Sequence, residues 1–170
     1  ERKEFRMAKP KIAVILGSDS DLSTMEEGLK VLKDFKVPFD LKIMSAHRSP
    51  ALVHAFAKDA EKEGIHVIIA AAGGAAHLAG VIASMTRLPV IGVPMETSSL
   101  NGMDSLFSTV QMPYGVPVAT MAIGKSGARN ASIFALQILA LEDRKVAGEL
   151  NAFKKRLEAD VIAKNKKINL

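Results

Sequence analysis

The sequence contains no cysteine and no tryptophan, and only one tyrosine among its 170 residues. The absence of cysteine excludes disulfide bonds, cysteine-ligated zinc and thiolate nucleophiles. The scarcity of aromatic rings leaves little for stacking against nucleic-acid bases. No apolar run approaches the length of a membrane span, and residues 1–11 lack the apolar core of a secretory signal. We therefore expect a cytoplasmic protein without a membrane or nucleic-acid partner.

The net charge of +5 is concentrated at the two ends of the chain. Residues 1–11 carry five basic and two acidic side chains, and residues 143–170 carry eight basic and four acidic ones. The intervening 12–142 carry ten basic and twelve acidic side chains, so the body of the chain is slightly acidic. A basic stripe for a nucleic-acid backbone is therefore not expected there.

Short apolar runs alternate with helical patterns through most of the chain. The predicted strands are residues 12–16, 39–44, 67–71, 90–93 and 118–123. Most of these runs are continuously apolar, which is typical of strands buried on both faces, whereas residues 39–44 alternate as an edge strand does. This order predicts an α/β three-layer sandwich with a mostly parallel five-stranded sheet and right-handed crossovers.

The chain divides into three predicted segments. Residues 1–10 are interpreted as an N-terminal tail, either disordered or derived from an expression vector. Residues 11–142 are expected to form the α/β catalytic domain. Residues 143–170 contain an extra amphipathic helix, which is predicted to pack on a neighbouring subunit, with packing on its own domain as the alternative.

Ligands of such sheets bind beyond the carboxyl ends of the strands. This rule brings together the loops at residues 17–21, 45–49, 72–78, 94–102 and 124–127. Turns favour Ser, Asp and Gly for reasons unrelated to function. That explanation does not account for the presence of both His47 and His77 on this side of the sheet.

The run of residues 45–50, SAHRSP, places a hydroxyl, an imidazole and a guanidinium within four residues. Histidine titrates near neutral pH, and arginine binds anions through paired N–H groups. The combination favours proton transfer on a phosphorylated small molecule.

The turn at residues 17–21, GSDSD, precedes a helix, and its backbone N–H groups can hold an anion. Ser18 can add a hydroxyl. Asp21 either caps the helix or accepts hydrogen bonds from a sugar diol. The chain lacks the GxGxxG fingerprint after its first strand and lacks a GK[ST] motif. We predict no bound cofactor and no metal.

Six motifs in order resemble those of the class I 5-(carboxyamino)imidazole ribonucleotide mutases of purine biosynthesis, the catalytic-subunit family of phosphoribosylaminoimidazole carboxylase. The resemblance covers about residues 11–141. The motifs are 17–21, 45–50, 72–78 (AGGAAHL), 89–94 (PVIGVP), 104–106 (DSL) and 111–120 (QMPYGVPVAT). Leu22 stands where many members have Trp, and Ala79 where Pro is usual.

The resemblance implies a flavodoxin-like sheet and a homo-octamer with active sites at subunit interfaces. It implies an isomerase that moves a carboxyl group of a ribonucleotide from nitrogen to carbon, without metal or cofactor. Ser18, Ser45 and Arg48 would hold the 5′-phosphate, and Asp21 the ribose hydroxyls.

By the same resemblance His47 would be the general acid and base. His77, also assigned as catalytic, would line the carboxylate pocket together with the substrate-binding backbone of Gly73 and Gly74. Whether His77 takes part in the proton transfer stays open.

Two alternative functions remain at this point. One is direct carboxylation of aminoimidazole ribonucleotide with CO2, as in the class II relatives, which typically have Lys in place of Arg48. The other is a non-enzymatic, flavodoxin-like nucleotide-binding module.

Overall fold

The computed structural model describes residues 11–168 and contains a five-stranded sheet of order β2-β1-β3-β4-β5, in which every pairing is parallel. The predicted α/β flavodoxin-like fold is confirmed. The predicted N-terminal tail, residues 1–10, lies outside the described part. The strands are β1 (Ile12–Leu16), β2 (Phe39–Ile43), β3 (Val67–Ala72), β4 (Val90–Pro94) and β5 (Ala119–Thr120).

Within the described residues, six α-helices follow or connect the strands. They are α1 (Leu22–Asp34), α2 (Pro50–Asp59), α3 (Leu78–Ala83), α4 (Met103–Val110), α5 (Gly124–Ala140) and α6 (Arg144–Asn165). Every residue of β1 is buried, and β2 is half-exposed at the edge of the sheet, in accord with their continuous and alternating patterns.

Helices lie against both faces of the sheet. On one face, alternate strand residues such as Ile15 and Ile68 share a buried cluster with Val53 and Phe56 of α2 and Ile82 of α3. The intervening strand residues are buried as well. Right-handed crossovers in this strand order place α1 and α5 together on the opposite face, where Arg129 of α5 pairs with Glu27 of α1.

Several element boundaries differ from those that the sequence predicts. The run of small residues after β3 predicts a helix from about residue 75, but α3 begins at Leu78, because Gly74 has a positive φ of 66° and the N–H groups of Ala76 and His77 bond to carbonyls two residues earlier in a turn. Strand β5 is shorter than predicted. Helix α5 begins at Gly124, so residues 124–127 are its first turn and not a loop, although Gly and Ser are weak helix formers.

The described chain separates into two compact units, one ending at Ala135 and the other beginning at Leu136. The second contains α6, whose N-terminus is capped by Asp143. The Asp143 carboxylate accepts hydrogen bonds from the backbone N–H groups of Lys145 and Val146.

Across residues 11–168, none of the helices combines the length and the apolar character that crossing a membrane requires.

Gly92 allows α4 to approach the centre of β4 closely. A Cβ atom at this position would lie 2.4 Å from Thr109 Cγ2 and 2.9 Å from Val118 Cγ1. Since no pair of carbon atoms packs at these distances, the contact of the helix with the strand depends on the missing side chain.

Gly92→Ala is expected to lower the free energy of unfolding by about 1–3 kcal/mol, because the helix must move away from the strand. The measurement is a urea unfolding curve. Gly148→Ala in α6 is the matched control: nothing lies within 4 Å of the added Cβ, so stability should stay equal or rise by up to about 1 kcal/mol. Equal midpoints for the native protein and Gly92→Ala would contradict this account of the packing.

Candidate active site

A cavity of about 420 Å³ opens at the carboxyl ends of the first four strands. Its position follows from the parallel pairing, which brings the loops after these strands to one edge of the sheet. The lining residues come from four of the five loops predicted to gather there: Gly17, Ser18, Ser20, Asp21, Ser45, Ala46, His47, Arg48, Ala72, Gly73, Ala75, His77, Leu78, Met95, Glu96 and Thr97.

The turn after β1 is a capping box. Ser18 Oγ accepts the Ser20 N–H at 3.4 Å, and Asp21 Oδ2 accepts the Ser18 N–H at 3.0 Å. The Ser18 hydroxyl also donates to Asp19 Oδ1 at 3.0 Å. Asp21 therefore completes the capping box of this turn, although its side chain makes no cap hydrogen bond to α1, and it faces the cavity at the same time.

The pKa values of the two carboxyl groups in this turn, those of Asp19 and Asp21, are shifted in opposite directions. Burial raises the pKa of Asp21 above its ordinary value of 3.8, and this desolvation outweighs the hydrogen bond from the Ser18 backbone. The hydrogen bond from the Ser18 hydroxyl, with that from the Ser20 backbone, lowers the pKa of Asp19. A carboxylate whose burial disfavours its charged form is a group expected at a binding site.

Arg48 connects the loop after β2 to the loop after β1. Its Nη2 donates to the Gly17 carbonyl at 3.0 Å. Of the described residues that line the cavity, Arg48 is the one with a permanent positive charge. Its guanidinium has further N–H donors available, so it can hold an anion while it keeps the contact with Gly17.

Two serines shape the turn that carries His47 and Arg48. Ser45 Oγ accepts the Arg48 N–H at 3.2 Å. Ser49 Oγ accepts the Ser45 N–H at 2.9 Å and donates to the Ser45 carbonyl at 3.1 Å. Because Ser45 Oγ accepts rather than donates in this contact, its hydroxyl hydrogen can be offered to a ligand.

The two histidines meet across the cavity. His47 Nε2 lies 3.0 Å from His77 Nδ1, and the rings are nearly perpendicular, at 80°. One ring nitrogen must carry a hydrogen and the other must accept it. The tertiary structure thus joins two residues thirty positions apart into one proton-sharing unit that faces the cavity.

The two glycines after β3 differ in their surroundings. Gly73 lines the cavity, whereas Gly74 is absent from the described lining residues. The Gly74 N–H donates to Ser105 Oγ at 2.9 Å, away from the other loops. Of the two glycines predicted to bind substrate, Gly73 therefore lies at the cavity, whereas Gly74 lies behind it.

Three cavity residues lie in a loop from which the sequence-predicted site has no member: Met95, Glu96 and Thr97. They follow β4, in the loop of residues 94–102 that is predicted to gather at this edge of the sheet. Thr97 Oγ1 donates to Asp104 Oδ1 at 2.7 Å, which joins this loop to α4. Residues 124–127, by contrast, do not line the cavity. Among residues 11–168 there is no group of three or more His, Asp or Glu side chains arranged to hold a metal ion.

Comparison with known proteins agrees with this geometry. The family model described as AIR carboxylase matches residues 11–160. The chain belongs to the AIR carboxylase family. The N5-carboxyaminoimidazole ribonucleotide mutase of Saccharolobus solfataricus is 51% identical to this chain over 154 residues, which are 91% of the chain and 96% of the relative. The resemblance inferred from the six motifs is confirmed.

Two further relatives extend the family comparison. The crystal structure of Treponema denticola PurE superposes with a TM-score of 0.86 at 25% identity, covering 95% of this chain and 99% of that one. The phosphoribosylaminoimidazole carboxylase of Saccharomyces cerevisiae is 51% identical over 162 residues, and this chain covers 28% of its length. The family unit thus occurs both alone and as part of a longer protein.

Asp21→Asn tests whether the buried carboxyl destabilises the fold when it is charged. Because the pKa of Asp21 is raised in the folded state, the native protein loses stability as the pH rises from 3.8 through that raised value. Asp21→Asn has no ionisable group at this position, so it does not lose stability in this way. Its stability relative to the native protein should therefore increase between about pH 3.5 and pH 7, as measured by chemical denaturation.

Asp19→Asn is the matched control, since the pKa of Asp19 is lowered in the folded state. Removing that carboxyl should shift relative stability the other way and at lower pH, because the native protein gains stability as the pH rises from the lowered pKa of Asp19 to about 3.8. A pH-independent stability difference for Asp21→Asn would show that burial does not penalise its charge.

Proposed function

We propose that this chain converts N5-carboxyaminoimidazole ribonucleotide into 4-carboxy-5-aminoimidazole ribonucleotide, with His47 and His77 moving the proton. The observation that carries the proposal is the contact of the two imidazoles at 3.0 Å in a cavity that also contains Arg48. The expectation of an isomerase is confirmed by the family and by the mutase name of the Saccharolobus relative.

The reaction needs one proton to leave carbon and one to reach nitrogen. The bond between the exocyclic nitrogen and the carboxyl carbon breaks, CO2 is released, and the nitrogen takes up a proton. CO2 then forms a bond with the neighbouring ring carbon, and that carbon loses its proton. The two transfers cancel, so a single imidazole that first donates and then accepts completes the cycle without another reagent.

The pairing of the histidines suits this requirement. His47 would exchange the proton through its other ring nitrogen, Nδ1, while its Nε2–H donates to His77 Nδ1 and so stabilises the positive charge of the imidazolium. In this arrangement His47 touches the reacting atoms and His77 sets its tautomer. The two roles correspond to an acid–base residue and the group that orients it.

The substrate's phosphate and ribose would be held at the side of the cavity next to β1. Arg48 and the Ser45 hydroxyl supply donors for the phosphate. Ser18 can join them only by rotating its hydroxyl away from Asp19, to which it donates in this structure. Asp21, buried and facing the cavity, has carboxylate oxygens that can accept from a ribose diol.

Small residues define the opposite side, where CO2 must be retained. Gly73, Ala72 and Ala75 line this wall. Their small side chains let the backbone approach a ligand closely and leave little room for water beside it. A narrow apolar wall favours recapture of CO2 by the ring over its escape.

We also propose, from the family resemblance, a homo-octamer in which α6 packs on a neighbouring subunit. The far end of this helix exposes apolar side chains that such an interface would cover: Leu157, Val161 and Ile162 are each about half exposed. Isolated exposed apolar residues are common, but three within two turns of one helix indicate a contact surface.

His47→Asn is expected to lower turnover by roughly 10²- to 10⁴-fold, because asparagine cannot exchange a proton near neutral pH. The KM for the carbamate ribonucleotide should change little, since the proposed phosphate ligands remain. The assay follows formation of the ring-carboxylated product, corrected for spontaneous decay of the substrate. His54→Asn, an exposed change on α2, is the control, and near-native turnover by His47→Asn would refute the role given to His47.

The second candidate function is direct carboxylation of aminoimidazole ribonucleotide, which the carboxylase name of the Saccharomyces relative favours. The two reactions share a product and differ in the substrate supplied. The purified protein should form product from the carbamate at low CO2, and at least about tenfold more slowly from the amine with added bicarbonate. Faster conversion of the amine would establish the carboxylase instead, and no conversion of either would favour a non-enzymatic module.

A further inference from the structure

Helix α4 holds both polar groups of the Gly74 backbone. The Gly74 N–H donates to Ser105 Oγ at 2.9 Å. The Gly74 carbonyl lies 3.3 Å from Ser108 Oγ, a weaker contact because the same hydroxyl donates to the Asp104 carbonyl at 2.7 Å. The Gly74 carbonyl also accepts the Ala76 N–H at 2.8 Å. Gly74 is therefore the point at which the turn of residues 73–77 is attached to a helix from a later part of the chain.

Ser105 is a rigid point of attachment. Its side chain is fully buried, and its carbonyl accepts a hydrogen bond from Thr109 Oγ1 at 2.7 Å. Thr109 in turn lies against Gly92 of β4. A buried hydroxyl is costly unless it is hydrogen-bonded, and the partner that the structure provides for Ser105 Oγ is the Gly74 N–H.

We propose that Ser105 is a positioning residue that sets the turn carrying Gly73 and His77 into the cavity. This inference rests on the proposed mutase function. Ser105 does not line the cavity, so it acts through Gly74 and not on the substrate. This role requires a side chain at position 105 that accepts a hydrogen bond at a fixed place.

The turn depends on this contact because glycine constrains it weakly. Gly74 has a positive φ of 66°, and nothing lies within 4 Å of the position that a Cβ would occupy. Gly74 therefore has no side-chain packing to fix its conformation, which leaves the hydrogen bonds of its backbone to do so. Without Ser105 Oγ the Gly74 N–H is left unpaired, and the turn is free to reorient toward another acceptor.

Reorientation of the turn has two consequences for the reaction. His77 moves relative to His47, from which it is separated by 3.0 Å, so proton transfer slows. Gly73, which packs against the loop of Met95 and Thr97, opens the wall beside the reacting atoms. CO2 then escapes, and the amine is left in place of the ring-carboxylated product.

The test is the fate of the carbamate substrate in Ser105→Ala and Ser105→Cys. Cysteine retains the volume of the side chain but accepts hydrogen bonds weakly, so both variants should behave alike. We expect kcat to fall roughly ten- to a hundredfold while KM stays within about threefold, because the proposed phosphate site is untouched. The share of consumed substrate that appears as amine and CO2 should rise above the native value. Ser84→Ala, which removes an exposed hydroxyl bonded to Val81 O, is the matched control.

Amide hydrogen exchange supplies a second readout that does not depend on activity. Peptides covering residues 72–78 should exchange faster in both Ser105 variants than in the native protein, while those covering β1 and α6 should not change. If Ser105→Ala does not fold, the kinetic assay and the exchange measurement are both made on Ser105→Cys.

The outcomes separate this inference from the function on which it rests. If the native protein is active and both Ser105 variants keep its kcat and its ratio of ring-carboxylated product to released amine, the positioning role is refuted. This holds even if amide exchange at residues 72–78 rises. If Ser105→Cys behaves like the native protein and Ser105→Ala does not, the position needs the volume of the side chain and not its ability to accept a hydrogen bond. If the native protein does not convert the carbamate, the proposed function fails, and unchanged exchange at residues 72–78 would then overturn the contact separately.

Discussion

The parallel pairing of β1 with β2 and β3 is the constraint on which the rest of the structure depends. Because all strands of a parallel sheet run in the same direction, their carboxyl ends lie at one edge of the sheet. The loops after β1, β2, β3 and β4 therefore meet at that edge. The pairing also continues past the strands: the Gly17 N–H donates to Ala71 O at 2.8 Å, and the Met44 N–H to Leu16 O at 2.9 Å. Functional side chains thus begin immediately after backbone that the sheet already holds, which limits how far they can move.

Each group at this edge is held by a neighbour that takes no part in chemistry. Ser49 shapes the turn of His47, the Gly17 carbonyl anchors Arg48, and Ser105 holds Gly74. Such supporting contacts allow proton transfer and ligand binding to use side chains that are exposed to the cavity and still well ordered. They also place ionisable groups in unlike surroundings, as the opposite pKa shifts of Asp19 and Asp21 show.

Stability and function make different demands on the same few residues. Asp21 satisfies a backbone N–H of the turn, yet its burial penalises its charge. Gly92 weakens the intrinsic preference for a strand, and in return α4 approaches close enough for Ser105 to reach Gly74. The family comparison covers residues 11–160, which includes every one of these positions.

The sequence alone predicted the α/β class with its parallel sheet, the positions of most strands and helices, and candidate residues in three of the four loops that line the cavity. Continuous apolar runs, an alternating edge strand and small-residue turns are local signals, and each depends on only a few neighbouring residues. Local signals failed where tertiary contacts override propensity: residues 124–127 are helical, and residues 75–77 form a turn.

Only the tertiary structure decided how the loop residues are paired. That His47 meets His77, that Arg48 reaches Gly17 and that Gly74 is held by α4 are contacts between segments about thirty residues apart. The motifs place these residues at one edge of the sheet without specifying distances of a few ångströms. Those distances depend on how closely α4 and the loops pack, and therefore on the whole fold.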